Sequence, residues 1–118
     1  MNSTSVMKAI NGHRERNLSL RKDFEQKGVN LDEPRSIEFH FWAWTQRDAA
    51  VVAKALYKMG FFVTLIAPAP TDGDAERWSV ETGAKIPLTQ ALGDDLTGKL
   101  VNLADAEDSV FDGWGTSI

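Results

Sequence analysis

Between Ser36 and Trp44 the side chains alternate, with Ile37, Phe39, Phe41 and Ala43 on one side and Glu38, His40, Trp42 and Trp44 on the other. A period of two belongs to a strand with one face on a core. The period then changes. Thr45 stands where a helix N-cap belongs, and Ala49, Val52, Ala53, Leu56 and Met59 recur at helical spacing up to Gly60. Phe61 to Ala67 is rich in β-branched and aromatic residues and predicts a second strand, stopped by Pro68 and Pro70. A strand, a helix and a strand in immediate succession constrain the fold strongly, because the helix must cover the apolar face of the sheet.

The rest of the chain extends this unit. Thr71-Asp72-Gly73-Asp74 is turn chemistry, and Arg77 to Thr82 alternates as a third strand paired with the second in a hairpin. Thr89 to about Ala106 predicts a helix with Leu92, Leu96, Leu100 and Leu103 on one face, its start weakened by Gly93 and Gly98. Val110 to Ile118 predicts a last strand interrupted by Gly113 and Gly115. Ahead of all this, a helix is expected from about Leu18 to Gln26, with the residues before it helical or frayed around Asn11-Gly12. Gly28 ends it, and Asp32-Glu33-Pro34 forms a linker. The expected fold class is α+β, a ferredoxin-like βαββαβ sandwich with an extra N-terminal helix. The division expected is an N-terminal helical segment and linker over 1–35 and an α+β domain over 36–118. Right-handed crossovers put both crossover helices on one face of the sheet. The other face is left to solvent, to the N-terminal helix or to a partner.

A chain of 118 residues supports one core. It has no cysteine, which removes thiolate chemistry, disulfides and Cys-based metal sites and suits a reducing cytoplasm. The longest strongly apolar stretch, Gly60 to Pro68, falls far short of the ~20 residues of a membrane helix, so no membrane association is expected. Charge is uneven: residues 1–35 hold seven Lys/Arg against five Asp/Glu, and residues 36–118 hold six against twelve. An acidic body argues against direct binding to phosphate backbones.

Several chemical motifs fall short. Gly93-Asp94-Asp95-Leu96-Thr97-Gly98-Lys99-Leu100 has the glycines and lysine of a phosphate loop, but Leu100 stands where a magnesium-binding Ser or Thr belongs, and two carboxylates would repel a nucleotide. Lys58-Met59-Gly60-Phe61-Phe62-Val63-Thr64-Leu65 echoes an RNA-stacking octamer on the wrong strand, and core packing accounts better for its phenylalanines. His13 and His40 are the only histidines. Glu38 and His40 share a strand face, yet no third metal ligand is evident, so no metal and no cofactor is expected. The carboxylates from Asp105 to Asp108 suit a solvated helix end. Trp42 and Trp44 carry more weight, since large aromatics opposite the core side need cover. The N-terminal helix packing there through Leu20 and Phe24 is the favoured cover. The alternative is a partner-binding patch with tryptophan anchors.

Val110-Phe111-Asp112-Gly113-Trp114-Gly115-Thr116 resembles the ending of the RraB family, protein inhibitors of ribonuclease E. Ser36-Ile37-Glu38-Phe39-His40-Phe41, the alanine-rich helix after it and Lys58-Met59-Gly60-Phe61-Phe62-Val63-Thr64 are similar to that family's first strand, helix and second strand. The resemblance covers about residues 36–116. It implies a noncatalytic regulator that binds ribonuclease E and lowers its action on RNA. It also makes Asp112, Gly113, Trp114, Gly115 and Thr116 the family motif, with the glycines allowing a bulge that aims Trp114. Members commonly carry very acidic extensions after this motif, whereas this sequence stops two residues past Thr116. Two surfaces are candidates for the partner: His40, Trp42 and Trp44 on the strand, and the acidic Asp94, Asp95, Asp105, Glu107 and Asp108. The rival classes are an RNA-binding domain using the aromatic sheet face and a small-molecule-binding enzyme.

Overall fold

The computed structural model describes residues 3–69 and 77–117. The elements are α1 (Ser3–Gln26), β1 (Pro34–Ala43), α2 (Gln46–Lys58), β2 (Phe62–Pro68), β3 (Trp78–Pro87), α3 (Leu88–Ala91), α4 (Asp94–Ala106) and β4 (Ser109–Thr116). The turn expected at Thr71-Asp72-Gly73-Asp74 lies outside the described residues. The four strands form one sheet in the order β2-β3-β1-β4, and every pairing is antiparallel. The molecule is an α+β fold with one layer of helices on one side of that sheet.

The alternation in β1 translates directly into burial. Ile37, Phe39, Phe41 and Ala43 are buried, whereas Glu38 is exposed and His40 and Trp42 are half-buried on the opposite face. Phe39 rests against Phe61 with ring centroids 5.0 Å apart, and Phe41 against Phe111 at the same separation. Tilted pairs of this kind add to the area they bury. Helix α2 lays Ala49, Val52, Ala53 and Leu56 on this layer, and α4 adds Leu96, Leu100, Val101 and Ala104. The Thr45 cap is formed as expected: its Oγ1 accepts from the Asp48 N–H at 3.1 Å.

Of the two states left open for the residues before Leu18, the helical one is observed, and α1 runs from Ser3 without a break at Asn11-Gly12. Val6, Ala9, Ile10 and Leu20 pack on the core and Asn17 and Phe24 are buried, so one continuous stripe offsets the ~1 kcal/mol a mid-helix glycine costs. The single helix expected over Thr89 to Ala106 is two, a short α3 and then α4 with Gly93 as its N-cap. Strand β3 continues past Thr82 to Pro87, opposite the full length of β1. Helix α1 does not cover Trp42 and Trp44 through Leu20 and Phe24; it joins the helical layer beside α4 and reaches the outer edge at β4. Phe24 faces Trp114, with centroids 6.4 Å apart. The segment after α1 is tied down as well, since the Thr89 N–H donates to the Leu31 carbonyl at 3.1 Å.

Candidate functional site

The family motif lies on β4, and its shape follows from one extra residue. His40 of β1 pairs with Gly113 and Phe41 with Phe111, so Asp112 is left without an opposite number. This is a bulge, and Gly113 adopts φ +127, a region that side-chain-bearing residues rarely enter. After the bulge Trp114 stands opposite Phe39 and points into the helical layer, 4% exposed. Its indole Nε1–H donates to Oδ1 of Asn17 at 3.0 Å, and its carbonyl accepts from Arg16 at 2.8 Å. The Arg16 guanidinium also lies 5.6 Å from the centre of the indole. Asn17 uses its other end as well: Nδ2 donates to Thr97 Oγ1 at 3.1 Å, and Thr97 Oγ1 donates to the Gly93 carbonyl at 3.1 Å. One buried amide therefore joins α1, α4 and β4. One turn earlier, His13 Nε2–H donates to the Phe111 carbonyl at 3.1 Å, with its ring 4.6 Å from that of Phe111. Burial holds the His13 pKa below its ordinary value, against the opposing pull of the Phe111 carbonyl. Thr116 closes the motif by donating to the Ser36 carbonyl at 2.7 Å, while Asp112 itself is exposed.

Helix α1 lies elsewhere, so the second sheet face is open among the described residues. The indoles of Trp42 and Trp44 meet edge to face with centroids 4.6 Å apart, and Trp44 is 48% exposed. The Arg77 guanidinium lies over both, 4.3 Å from the centre of Trp42 and 5.6 Å from that of Trp44. Next along β1, His40 is hydrogen-bonded through Nδ1 to Glu81 across the strand pair, and its Nε2 is 3.9 Å from Glu38. Leu65 of β2 sits beyond Glu81 and Phe62 beyond Gly83; both side chains are largely exposed. The acidic candidates do not share this face. Asp94 and Asp95 open α4, and Asp94 is paired with Arg14 of α1 at 3.2 Å. Asp105, Glu107 and Asp108 stand at its other end, roughly 16 Å away along the axis at the helical rise. Asp108 turns the chain into β4 with φ 51, a conformation Asp tolerates. Among the described residues no three His, Cys, Asp or Glu side chains come together as a metal site. No described helix is long and apolar enough to cross a membrane.

The bulged β4 motif and the sheet that carries it are matched by a family model described as Regulator of ribonuclease activity B, over residues 14–116. The chain belongs to the RraB family. The match begins within α1, so the family pattern takes in the helix that holds Trp114 as well as the sheet. A curated relative from Photobacterium profundum, named Regulator of ribonuclease activity B, is 37% identical over 84 residues. That alignment covers 69% of this chain and 62% of the relative. The RraB motif and the open face are distinct places: Trp114 is a buried tie between layers, and Trp42 and Trp44 stand on the opposite side of the sheet. Asn17, Arg16 and Thr97 carry no local sequence signal for this contact with Trp114, because nothing in the pattern links positions so far apart.

Proposed function

We propose that this protein is a noncatalytic regulator that binds a ribonuclease, ribonuclease E being the first partner to test, and lowers its action on RNA. Membership of the RraB family carries the reading. The structure supplies compatible features. Both histidines are engaged in packing or pairing, His13 with Phe111 and His40 with Glu81 and Glu38, which suits a binding role better than proton transfer. The open face of Trp42 and Trp44 offers aromatic anchors of the kind that dominate protein interfaces. Asp95, Glu107 and Asp108 provide a second, acidic contact beside Asp94 and Asp105. The sheet order, with β1 and β2 parallel to each other and β3 antiparallel between them, supports the ferredoxin-like reading of the fold. The cysteine-free sequence supports a cytoplasmic setting.

The test is association of the purified protein with purified ribonuclease E, measured by calorimetry before and after exhaustive digestion of any RNA. Binding that survives digestion is the expected result. Binding that disappears with the RNA would overturn direct regulation. A second reading has one observation in its favour: an Arg stacked on paired indoles is also a platform for bases. Glu38 and Glu81 on the same face oppose the phosphates such a strand would bring.

A further inference from the structure

The open sheet face contains a guanidinium already in place. Arg77 stacks on Trp42 at 4.3 Å and reaches Trp44 at 5.6 Å, and it comes from the residue just before β3 rather than from the core. Arginine is suited to this position, because its planar, weakly hydrated cation gains from an indole face what an ammonium gains less well. Arg77 is exposed and belongs to no strand, so the contact is reversible at small cost to the sheet. Beside the indoles the charge reverses. Glu81 faces His40 across the strand pair, and Glu38 lies two residues further along β1 with its side chain 76% exposed.

We propose that this face binds an extended, arginine-bearing segment of a partner protein, and that Arg77 occupies the site of one such arginine until the partner displaces it. The proposal rests on the reading of the protein as a partner-binding regulator and names the surface and the chemistry it selects. Alternate residues of an extended segment are roughly 7 Å apart, and Glu38 and Trp42 are roughly 13 Å apart along β1. A segment with arginines at every second position therefore sets one guanidinium on the indoles, the next beside the carboxylate of Glu81 opposite His40, and the one after that beside Glu38. Phe62 and Leu65 at the β2 side border this track with exposed apolar surface, against which the methylene stems of the arginines can lie. Charge complementarity selects this occupant: the cation the indoles prefer is also the one the carboxylates attract. A nucleic-acid strand would satisfy the indoles and be repelled by the carboxylates.

The experiment titrates the purified full chain with a synthetic peptide of alternating arginine and glycine, with its lysine counterpart and with a single-stranded RNA oligomer. Binding is read from the indole N–H signals of Trp42 and Trp44 by NMR. The arginine peptide is expected to shift these two signals and to bind several-fold tighter than the lysine peptide. Arg77→Ala is expected to tighten it by roughly two- to fivefold, the factor a surface guanidinium–indole contact supplies. Trp44→Ala and Glu38→Gln are expected to weaken it, and an unchanged unfolding midpoint confirms that neither acts through folding. Equal affinity for the two peptides would overturn the proposal, as would unchanged or weaker binding by Arg77→Ala, or RNA binding more tightly at the same indoles. No ribonuclease is present in this titration. A negative result would therefore remove the arginine site and leave the regulator reading standing, and a failure to bind ribonuclease E would do the reverse.

Discussion

Removing the side-chain amide of Asn17 tests how α1 is held. In Asn17→Ala, the Trp114 Nε1–H loses its acceptor at a site where both residues are 4% exposed, and Thr97 Oγ1 loses a donor while keeping its bond to the Gly93 carbonyl. A buried donor left unpaired costs about 1–3 kcal/mol, and a hydrogen bond lost by a group that keeps another partner costs about 0.5–1.5 kcal/mol. Together these give about 1.5–4.5 kcal/mol. For a domain of this size that is roughly 6–18 °C in midpoint temperature. Urea denaturation followed by circular dichroism reads the loss without relying on tryptophan emission. The companion variant Trp114→Phe keeps an aromatic ring and removes the same N–H, stranding Asn17 Oδ1 instead. Combining the two removes both partners at once, so the double variant is expected to lose at least about 1 kcal/mol less than the sum of the singles. If the losses add to within about 0.3 kcal/mol, or if Asn17→Ala alone costs less than about 0.5 kcal/mol, the amide does not tie the three elements together.

Burial lowers the His13 pKa in the folded state, so the unfolded chain takes up its proton first as pH falls below the ordinary 6.5. The stability this group contributes is thus present above that value and is lost as pH falls through it toward the lowered folded-state pKa; His13→Gln should flatten the slope in urea titrations, and an identical slope would remove His13 as its source. Gly113→Ala forces a side chain into φ +127 although its Cβ would meet nothing closer than Arg16 at 3.9 Å, so the cost is conformational and should exceed about 1 kcal/mol in the same assay. Loss below a few tenths would show that the bulge can relax. Reversing Asp95 and Glu107 to lysine should weaken ribonuclease binding and reduce its dependence on salt, measured by calorimetry at two ionic strengths; unchanged affinity would exclude the α4 ends from the interface.

The strands and α2 were legible because their hydrophobic periods are clean: Ile37, Phe39 and Phe41 all point inward, and Thr45 caps the helix that follows. The extent of β3 was not, since Gly83 and Ala84 dilute its alternation, and only pairing with β1 shows that it runs to Pro87. The path of α1 was hidden for a different reason. The groups that dock it, His13, Arg16 and Asn17, are polar and read locally as a solvated helix face, whereas their partners are the Phe111 and Trp114 carbonyls and the Trp114 indole at the far end of the chain. Phe24 accordingly faces Trp114 and not the Trp42–Trp44 pair that its apolar character and the uncovered strand face suggest. The motif residue Trp114 stood out by its place between two glycines, but that it points inward, toward Asn17, depends on the one-residue bulge at Asp112, which only the register reveals. The aromatic pair Trp42 and Trp44 was legible as a feature; the guanidinium over it was not, because stacking across strands leaves no periodic mark.

Cleavage kinetics bear most directly on the regulatory reading. Increasing amounts of the purified protein are added to ribonuclease E acting on a labelled RNA, with this protein and RNA alone as the control. The account predicts that the cleavage rate falls to a plateau as the ribonuclease is saturated and that the control RNA stays intact. A cleavage rate unchanged at every ratio, or RNA cut by this protein alone, would contradict it.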